Sequence, residues 1–310
     1  MDIKNILITG RIYKEVQAIL EDKDLNYQFY YLSDEEVTHE DLQWADAFAS
    51  FRPSPIFDTS HIKWVHSFGA GVDSFLHNKA WDQTVLLTRT ICSFGQKIGE
   101  YCLSYILREL QLHQEFEKAQ IEKTWKPNAP RLLNEQTIFI YGTGVIGQEI
   151  AKMLSTFGVT VYGVSLSGQQ KDNFKKIFSF TDEIPPTLKT NFIISTLPLT
   201  DLTHNLFDDQ KFSSLDDAVF INVGRGATVR EDSLINALNN GWLKHAYLDV
   251  FSAEPLPMSS PLWERKDITV TPHISAVTFP EEAVECFLET LKNITENQPL
   301  KNQVDVNKGF

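Results

Sequence analysis

The chain has 310 residues, of which 42% are hydrophobic and 22% charged, and its formal net charge is -13 at pH 7. This composition is typical of a folded globular protein, and the length allows two domains of ordinary size. The acidic balance and the lack of a long basic run argue against nucleic acid or an anionic membrane surface as a partner. An anionic substrate would therefore need a local positive site.

The cysteines and histidines predict neither a disulfide framework nor a metal site. Cys92, Cys102 and Cys286 show no CxxC spacing, which is typical of thiols in a reducing cytoplasm. The eight histidines form no HxH or HxxxH pair. The segment 1–9 is typical of a strand rather than a signal peptide, and no apolar run approaches the length of a membrane span. We therefore expect a cytoplasmic protein.

The first hundred residues alternate short apolar runs with helical patterns such as Ile12–Glu21. Near-continuous apolar strands separated by helices indicate a parallel sheet that is covered on both faces. The predicted strands are Asn5–Thr9, Tyr27–Leu32, Ala45–Ser50, Trp64–Phe68 and Val85–Thr88.

A second βα region follows. The pattern predicts one long helix from near Ile98 to about Glu122, and the segment Pro127–Pro130 breaks the chain after it. Helices are predicted at Gly147–Phe157 and Glu231–Asn239. Six strands with crossover helices suit a dinucleotide-binding sheet. Those strands are Thr137–Tyr141, Thr160–Ser165, Phe192–Leu197, Ala218–Val223, Ala246–Val250 and Ile268–Thr271.

The C-terminal part predicts one amphipathic helix, Pro280–Thr295, and a polar tail. This helix and the helix that starts near Ile98 could be two crossings between domains. The predicted fold class is therefore α/β, with two doubly wound parallel sheets and the second domain inserted into the first.

The segment 142–147 has the GxGxxG spacing of a phosphate-binding turn, and it lies between a predicted strand and a predicted helix. Gly142 permits the tight turn, Gly144 lets a pyrophosphate approach the backbone, and Gly147 lets helix and strand pack closely. The free N–H groups and the dipole of the helix start would hold the phosphates. The sequence therefore predicts a dinucleotide site.

The stretch after the next strand bears on the choice between NAD and NADP. An Asp or Glu there binds the ribose 2′-OH in NAD-binding sheets, but this chain has Val164-Ser165-Leu166-Ser167-Gly168. No carboxylate is present to repel a 2′-phosphate, and no Arg is present to bind one, although Lys171 is near. Ser165 and Ser167 could donate to either cofactor or could only cap the next helix. We favour NADP and leave NAD open.

Three polar residues follow three of the predicted strands. Arg225 lies between two glycines, and its planar guanidinium suits a bidentate contact with a carboxylate, although a surface ion pair is the alternative. His273 ends the last strand, on the side where parallel sheets bind ligands. A lone histidine is often structural, but this one can exchange a proton near neutral pH. Glu254 beside it would favour the imidazolium that ketone reduction needs.

These motifs, in this order, resemble the D-isomer-specific 2-hydroxyacid dehydrogenases, and the resemblance covers nearly the whole chain. The matching segments are Gly69–Asp73, Gly99-Glu100, Gly142–Gly147, Leu197–Thr200, Asn222–Gly226, Leu248–Pro257, Thr271–Ser275 and Val304–Phe310. The resemblance implies a Rossmann cofactor domain, residues 98–279, inserted in a flavodoxin-like substrate domain, residues 1–97 plus 280–310. It also implies a homodimer formed through the cofactor domain.

The resemblance further implies a reaction in which a reduced nicotinamide gives hydride to C2 of a 2-keto acid. The amides of Ala70, Gly71 and Val72 would bind the substrate carboxylate together with Arg225, and His273, paired with Glu254, would protonate the alkoxide. Asp249 would either support the cofactor side or tune His273. The implied cofactor-binding residues are Gly142, Gly144, Val145, Ile146, Gly147, Ser165, Leu197, Pro198, Val223 and Asp249.

Two other functions use the same fold. Formate dehydrogenases of this superfamily carry Gln where Glu254 stands, which argues against that activity. A nicotinamide-sensing binding protein or corepressor is the alternative from another class, since fold does not fix function. The keto acid itself stays open. Phe68, Phe94 and Phe279 could line an apolar pocket or belong to the core, and Arg52 could contact the substrate or only solvent.

Overall fold

The computed structural model describes residues 1–185 and 187–309, so Phe310, the last residue of the predicted closing tail, lies outside the described residues. The chain divides into two compact units. The first contains Met1–Phe94 and Thr278–Phe310, and the second contains Gly95–Val277. The domain limits given above, 1–97 with 280–310 and 98–279, stay a prediction.

The sheet of the first unit has five parallel strands in the order β2-β1-β3-β4-β5. The strands are β1 (Asn5–Ile8), β2 (Gln28–Tyr31), β3 (Ala47–Ser50), β4 (Trp64–Ser67) and β5 (Leu86–Arg89). This order is that of flavodoxin-like sheets, as predicted. All four residues of β3 and of β4 are buried, so neither strand alternates buried with exposed residues.

Helices α1 (Tyr13–Glu21), α2 (His39–Trp44) and α3 (Asp73–Leu76) belong to the first unit. A capping box starts α2, because the Thr38 hydroxyl accepts from the Asp41 N–H and the Asp41 carboxylate accepts from the Thr38 N–H. Hydrophobic clusters lie on both faces of the five-stranded sheet. Strands β1, β3 and β4 are therefore packed on both faces, whereas the edge strand β2 exposes Gln28 and Tyr30.

The sheet of the second unit has seven parallel strands in the order β12-β11-β10-β9-β6-β7-β8. The strands are β6 (Thr137–Tyr141), β7 (Thr160–Ser165), β8 (Lys176–Ser179), β9 (Phe192–Ser195), β10 (Ala218–Asn222), β11 (Leu243–Leu248) and β12 (Ile268–Val270). The strand order reverses at β6, which pairs with both β7 and β9. Both sheets are doubly wound, so the predicted fold class is confirmed.

The prediction of six strands in this region was wrong, because β8 was missed. Its sequence, Lys-Ile-Phe-Ser, is only four residues long and lies at the edge of the sheet, where it pairs with β7. Only Ile177 and Phe178 of this strand are buried, and two apolar residues between polar ones do not form the apolar run that marked the other strands.

Helices α4 (Phe94–Leu110), α5 (His113–Ile121), α6 (Val145–Ser155), α7 (Asp209–Phe212) and α8 (Glu231–Asn239) follow. The prediction of a single helix from Ile98 to Glu122 was wrong. Leu112 adopts a left-handed conformation with φ 58°, which ends the hydrogen-bond ladder between α4 and α5. The carbonyl of Leu110, at the end of α4, accepts instead from the N–H of Arg131.

The chain returns to the first unit with α9 (Pro280–Thr295), whose limits agree with the prediction. Phe287 of α9 stacks on Trp64 of β4 at 5.2 Å between ring centroids. Beyond α9, Val304 N–H donates to the carbonyl of Leu87, so the tail covers the edge of β5. Within residues 1–185 and 187–309, no helix has the length and apolarity needed to cross a membrane.

Candidate active site

The cofactor turn follows β6 in the middle of the seven-stranded sheet, where the strand order reverses. Gly142 has φ 99°, so a side chain there would be strained. A Cβ on Gly147 would lie 1.9 Å from the carbonyl oxygen of Gly142, so only glycine lets α6 approach β6 this closely. A Cβ on Gly144 would meet nothing within 4 Å. Gly144 therefore borders open space that suits a pyrophosphate.

The N-terminus of α6 faces the same turn. Gly144 is its N-cap and offers no side chain, and Val145 at the first helical position is 58% exposed. The first N–H groups of a helix have no intrahelical partner, and they carry the positive end of the helix dipole. The N–H groups of Val145, Ile146 and Gly147 are therefore suited to an anion, and their contact with the cofactor stays a prediction.

The segment after β7 has no acid where NAD-binding sheets carry one, and Lys171 lies farther along it. Ser165 caps this turn, because its hydroxyl accepts from the N–H of Gly168 at 3.2 Å. Nζ of Lys171 donates to the carbonyl oxygen of Thr143, in the cofactor turn, at 2.6 Å. A positive charge therefore lies directly beside the turn that is predicted to hold the dinucleotide.

Two glycines explain how Arg225 is positioned after β10. A Cβ on Gly224 would lie 2.6 Å from the carbonyl oxygen of Leu197, and a Cβ on Gly226 would lie 1.9 Å from the carbonyl carbon of Phe251. Both glycines are therefore required by close backbone contacts with the segments that follow β9 and β11. Leu197 and Val223, two predicted cofactor residues, are buried in this layer, and Pro198 is half-buried.

Arg225 is half-buried, and its backbone is fixed on both sides. Its carbonyl oxygen accepts from Nδ2 of Asn222 at 3.2 Å and from the Thr228 hydroxyl at 2.7 Å. Nη1 of its guanidinium donates to the carbonyl of Gly224 at 2.7 Å. The contacts of Asn222 and Thr228 with Arg225 were not predicted, because the sequence does not show which backbone group a polar side chain meets.

Glu254 and His273 form a hydrogen-bonded pair. Nδ1 of His273 lies 2.8 Å from Oε2 of Glu254, and their side chains are 49% and 36% exposed. Oε1 of Glu254 accepts from the N–H of Phe251 at 2.9 Å, which anchors the carboxylate to the segment after β11. The other imidazole nitrogen, Nε2, is thereby left as the nitrogen that can exchange a proton with a ligand.

The pKa of the Glu254 carboxyl lies below its usual value. Partial burial raises this pKa, but the hydrogen bonds from His273 and from the N–H of Phe251 lower it by more, and the charges of His273 and Arg225 add to the lowering. Glu254 is therefore a carboxylate at neutral pH, which is the form that stabilises a protonated imidazole.

Asp249 lies beneath the turn that carries His273. Its side chain is fully buried, and its carboxylate accepts from the N–H of Ile274 at 2.8 Å and from the N–H of Ser275 at 2.9 Å. Of the two predicted roles, these contacts favour control of His273. A direct contact between Asp249 and the cofactor stays a prediction.

The loop Gly69–Val72 follows β4 in the first unit. Its carbonyl groups are tied to the protein, because the Ser67 hydroxyl lies 3.2 Å from the carbonyl oxygens of Gly69 and Gly71 and can donate to either, and Nη1 of Arg89 donates to the carbonyl of Ala70 at 3.1 Å. The predicted anion donors are the amides of Ala70, Gly71 and Val72. Ser67 and Arg89, which orient this loop, were not found from the sequence.

The four residues left open by the sequence have different environments. Phe68 is fully buried and packs near Phe287, so it belongs to the core, and Phe94 is 5% exposed. Phe279 is 52% exposed. Arg52 is held by Asp34, with 3.1 Å between Nε and Oδ2, although its side chain is 65% exposed.

The fold and the residues at the carboxyl edge of the second sheet define a nicotinamide-dinucleotide oxidoreductase. Residues 103–275 match the model of the D-isomer specific 2-hydroxyacid dehydrogenase family, NAD binding domain. A glyoxylate/hydroxypyruvate reductase A from Serratia proteamaculans is 34% identical over 256 residues, covering 80% of this chain and 82% of that protein.

Two solved structures are similar along their whole length. The D-isomer specific 2-hydroxyacid dehydrogenase from Xanthobacter autotrophicus, in complex with NADPH and MES, is 28% identical with a TM-score of 0.88 and covers 100% of both chains. The NADPH-dependent glyoxylate/hydroxypyruvate reductase from Sinorhizobium meliloti, in complex with NADP and sulfate, is 27% identical with a TM-score of 0.88 and covers 99% of this chain and 100% of that one. The chain belongs to the D-isomer-specific 2-hydroxyacid dehydrogenase family. Its cofactor is accordingly NAD or NADP.

Proposed function

We propose that this protein is an NAD(P)H-dependent reductase that interconverts a small 2-keto acid and its D-2-hydroxy acid. The observation that carries the proposal is the His273–Glu254 pair at the edge of a sheet that also holds a dinucleotide-binding turn. A sensor or corepressor on the same fold has no need of a proton donor whose second nitrogen is anchored by a carboxylate.

In the proposed reaction, the reduced nicotinamide supplies hydride to C2 of the keto acid. Nε2 of His273 gives its proton to the oxygen as negative charge develops there. Glu254 holds Nδ1 and stabilises the imidazolium before the transfer. The guanidinium of Arg225 binds the substrate carboxylate and polarises the carbonyl. The amides of Ala70, Gly71 and Val72 are the second proposed set of carboxylate donors.

We propose glyoxylate and hydroxypyruvate as the first substrates to test. Curated relatives, such as the one from Serratia proteamaculans, bear these two keto acids in their names. Both contain a carboxylate next to a carbonyl, which is the unit that the proposed Arg225 and His273 contacts would recognise. Bulkier keto acids serve as comparison substrates.

We propose that NADP is preferred over NAD. No carboxylate follows β7 in the position where it would repel a 2′-phosphate, and the ammonium group of Lys171 lies beside the cofactor turn. Similar proteins were solved with NADPH or NADP. Lys171→Gln should raise the KM for NADPH by about tenfold and leave the KM for NADH nearly unchanged.

We further propose a homodimer and a cytoplasmic location. The last residue of α5 and the segment after it present three exposed apolar side chains, with Ile121 at 82%, Trp125 at 95% and Leu132 at 61% exposure. A second copy of the chain would cover them. Light scattering should give twice the chain mass for the wild type, and Trp125→Ser should shift the mass toward the monomer. The cytoplasmic location stays a prediction from cysteine usage.

The deciding experiment follows absorbance at the nicotinamide band with NADPH and with NADH, against keto acids from glyoxylate to phenylpyruvate. Turnover in the wild type that is lost in His273→Gln, with NADPH affinity unchanged, would support the reductase and its proton donor. Tight NADPH binding without turnover on any keto acid would instead favour the sensor.

A further inference from the structure

His273 adopts a backbone conformation that needs support from its surroundings. Its φ is 54°, in the left-handed region that non-glycine residues rarely occupy. Its own N–H donates to the carbonyl of Asp249 at 2.9 Å, and the next two N–H groups, of Ile274 and Ser275, donate to the Asp249 carboxylate. The orientation of the imidazole therefore depends on where the carboxylate of Asp249 lies.

Asp249 is itself fully buried, and a buried carboxylate needs hydrogen-bond donors to stay in place. Besides the two backbone N–H groups, the hydroxyl of Thr271 donates to Oδ1 of Asp249 at 2.6 Å. A short bond of this kind to an ionised oxygen is stronger than one between neutral groups. Thr271 is thus the side chain that anchors Asp249.

The hydroxyl of Thr271 is held in turn by Tyr101 of α4, with 2.7 Å between the two oxygens. Thr271 has one hydroxyl proton, and that proton goes to Asp249, so the Tyr101 hydroxyl must be the donor to Thr271. Burial raises the pKa of the Tyr101 phenol, so its proton is retained at any working pH. The chain of donation runs from Tyr101 to Thr271 to Asp249.

We propose that Tyr101 and Thr271 are positioning residues for His273. In this series of hydrogen bonds, which we call the Tyr101–Thr271–Asp249 relay, they fix the carboxylate of Asp249. That carboxylate holds the turn that carries His273 and so directs Nδ1 of His273 toward Glu254. The inference rests on the proposed function, in which His273 donates the proton. Neither hydroxyl need touch substrate or cofactor, and the relay ties α4 to the segment after β12.

The first test compares the full-length variants Thr271→Val, Thr271→Ser and Tyr101→Phe in the reduction of glyoxylate by NADPH. Thr271→Val keeps the shape of the side chain but removes the hydroxyl, and it should lower kcat by about 10- to 100-fold, because small misplacements of a reacting group are costly. Thr271→Ser retains the hydroxyl and should stay within about threefold of the wild type, and Tyr101→Phe should lose about threefold to tenfold. The dissociation constant for NADPH should be unchanged in all three.

A double variant tests whether the two hydroxyls act in series. If they do, Tyr101→Phe should add almost nothing to the loss already caused by Thr271→Val, because the tyrosine then has no partner to hold. If the loss of kcat in the double variant is instead the product of the losses in the two single variants, the relay is contradicted.

A solvent isotope effect separates positioning from a general loss of folded enzyme. A misdirected imidazole slows proton transfer, so the effect of D2O on kcat should increase in Thr271→Val and return to the wild-type value in Thr271→Ser. A lower kcat with an unchanged isotope effect would mean that Thr271 is only structural and would overturn the proposal.

His273→Gln distinguishes failure of the proposal from failure of the proposed function. Turnover that survives in His273→Gln would remove the basis of both. An inactive His273→Gln, together with wild-type kcat and isotope effect in Thr271→Val, would overturn the relay alone and leave the proton donor in place.

Discussion

His66 and His273 are both histidines near the carboxyl end of a parallel strand, but their surroundings are opposite. His66 lies inside β4, is fully buried, and places Nδ1 2.8 Å from the Thr88 hydroxyl and Nε2 3.2 Å from the Thr90 hydroxyl. His273 lies beyond β12 with its side chain 49% exposed and a carboxylate on Nδ1. Burial lowers the pKa of His66 to about 3, so this imidazole is neutral at any working pH.

The comparison shows that position relative to the strand end decides what a histidine can do. A side chain within a covered strand meets the neighbouring strand and the helix above it, and in this protein Phe287 of α9 packs against His66. A side chain that follows the end of a strand is no longer covered by the neighbouring strand and helix, so it can face a ligand. The residue type is the same, but only the second position leaves the imidazole accessible to a ligand.

The largest expected effect is that of replacing His273 by glutamine, with the same replacement of His66 as the control. His273→Gln should lower kcat by roughly 10²- to 10⁴-fold, the usual contribution of a general acid. His66→Gln is the matched control and should leave kcat unchanged, because it lies in the core of the first unit. Steady-state kinetics with NADPH and glyoxylate measures both, and equal losses in the two variants would remove the distinction between them.

The same contrast between packed and open positions can be tested in the cofactor turn. Gly147→Ala places a methyl group 1.9 Å from the Gly142 carbonyl oxygen and should reduce the free energy of unfolding by about 3 kcal/mol. Gly144→Ala meets nothing within 4 Å, so it should fold normally but bind NADPH more weakly. Urea unfolding and fluorescence titration separate the two effects. A stable Gly147→Ala protein would show that α6 can move away from β6.

Glu254→Gln tests whether the negative charge of Glu254 supports proton donation by His273. The substitution keeps a hydrogen-bond partner but removes the charge that favours the imidazolium, so kcat for ketone reduction should fall on the order of 10- to 100-fold. The pKa of Glu254 is lowered in the folded protein, so the wild-type carboxylate is ionised at neutral pH and loses its charge only as the pH falls through that pKa. The loss in Glu254→Gln should therefore be seen in full at pH 7, measured against wild type by stopped-flow absorbance.

The last prediction concerns stability in acid, where no loss of activity at neutral pH is expected. The pKa of His66 is about 3 in the folded chain and near 6.5 when unfolded, so the unfolded state binds an extra proton between these values. The neutral, buried His66 therefore contributes stability that is fully present above pH 6.5. As the pH falls below that value, the free energy of unfolding decreases by about 1.4 kcal/mol per pH unit. In His66→Gln, the free energy of unfolding measured in urea should depend less steeply on pH between pH 4 and 6. An unchanged slope would mean that other groups account for it.

Most of the fold could be predicted from the sequence, because buried parallel strands are continuous apolar runs. Ten of the eleven predicted strands overlap the observed ones within about two residues at each end, and β11 begins three residues earlier than predicted. The errors arose where local pattern is weak. The edge strand β8 buries only Ile177 and Phe178, so it has no apolar run, and the left-handed Leu112 that separates α4 from α5 has no sequence signature.

The sequence by itself determined the glycine turn, the absence of an acid after β7, and Arg225, Glu254 and His273 as candidates, since each follows an apolar strand in a recognisable motif. Only the tertiary structure decided which groups meet. Nδ1 of His273 and Oε2 of Glu254 are 19 residues apart in sequence, and the hydroxyls of Tyr101 and Thr271 are 170 apart. Contacts between residues so far apart in the sequence depend on which elements become neighbours in the folded sheet. Local sequence patterns do not specify that order.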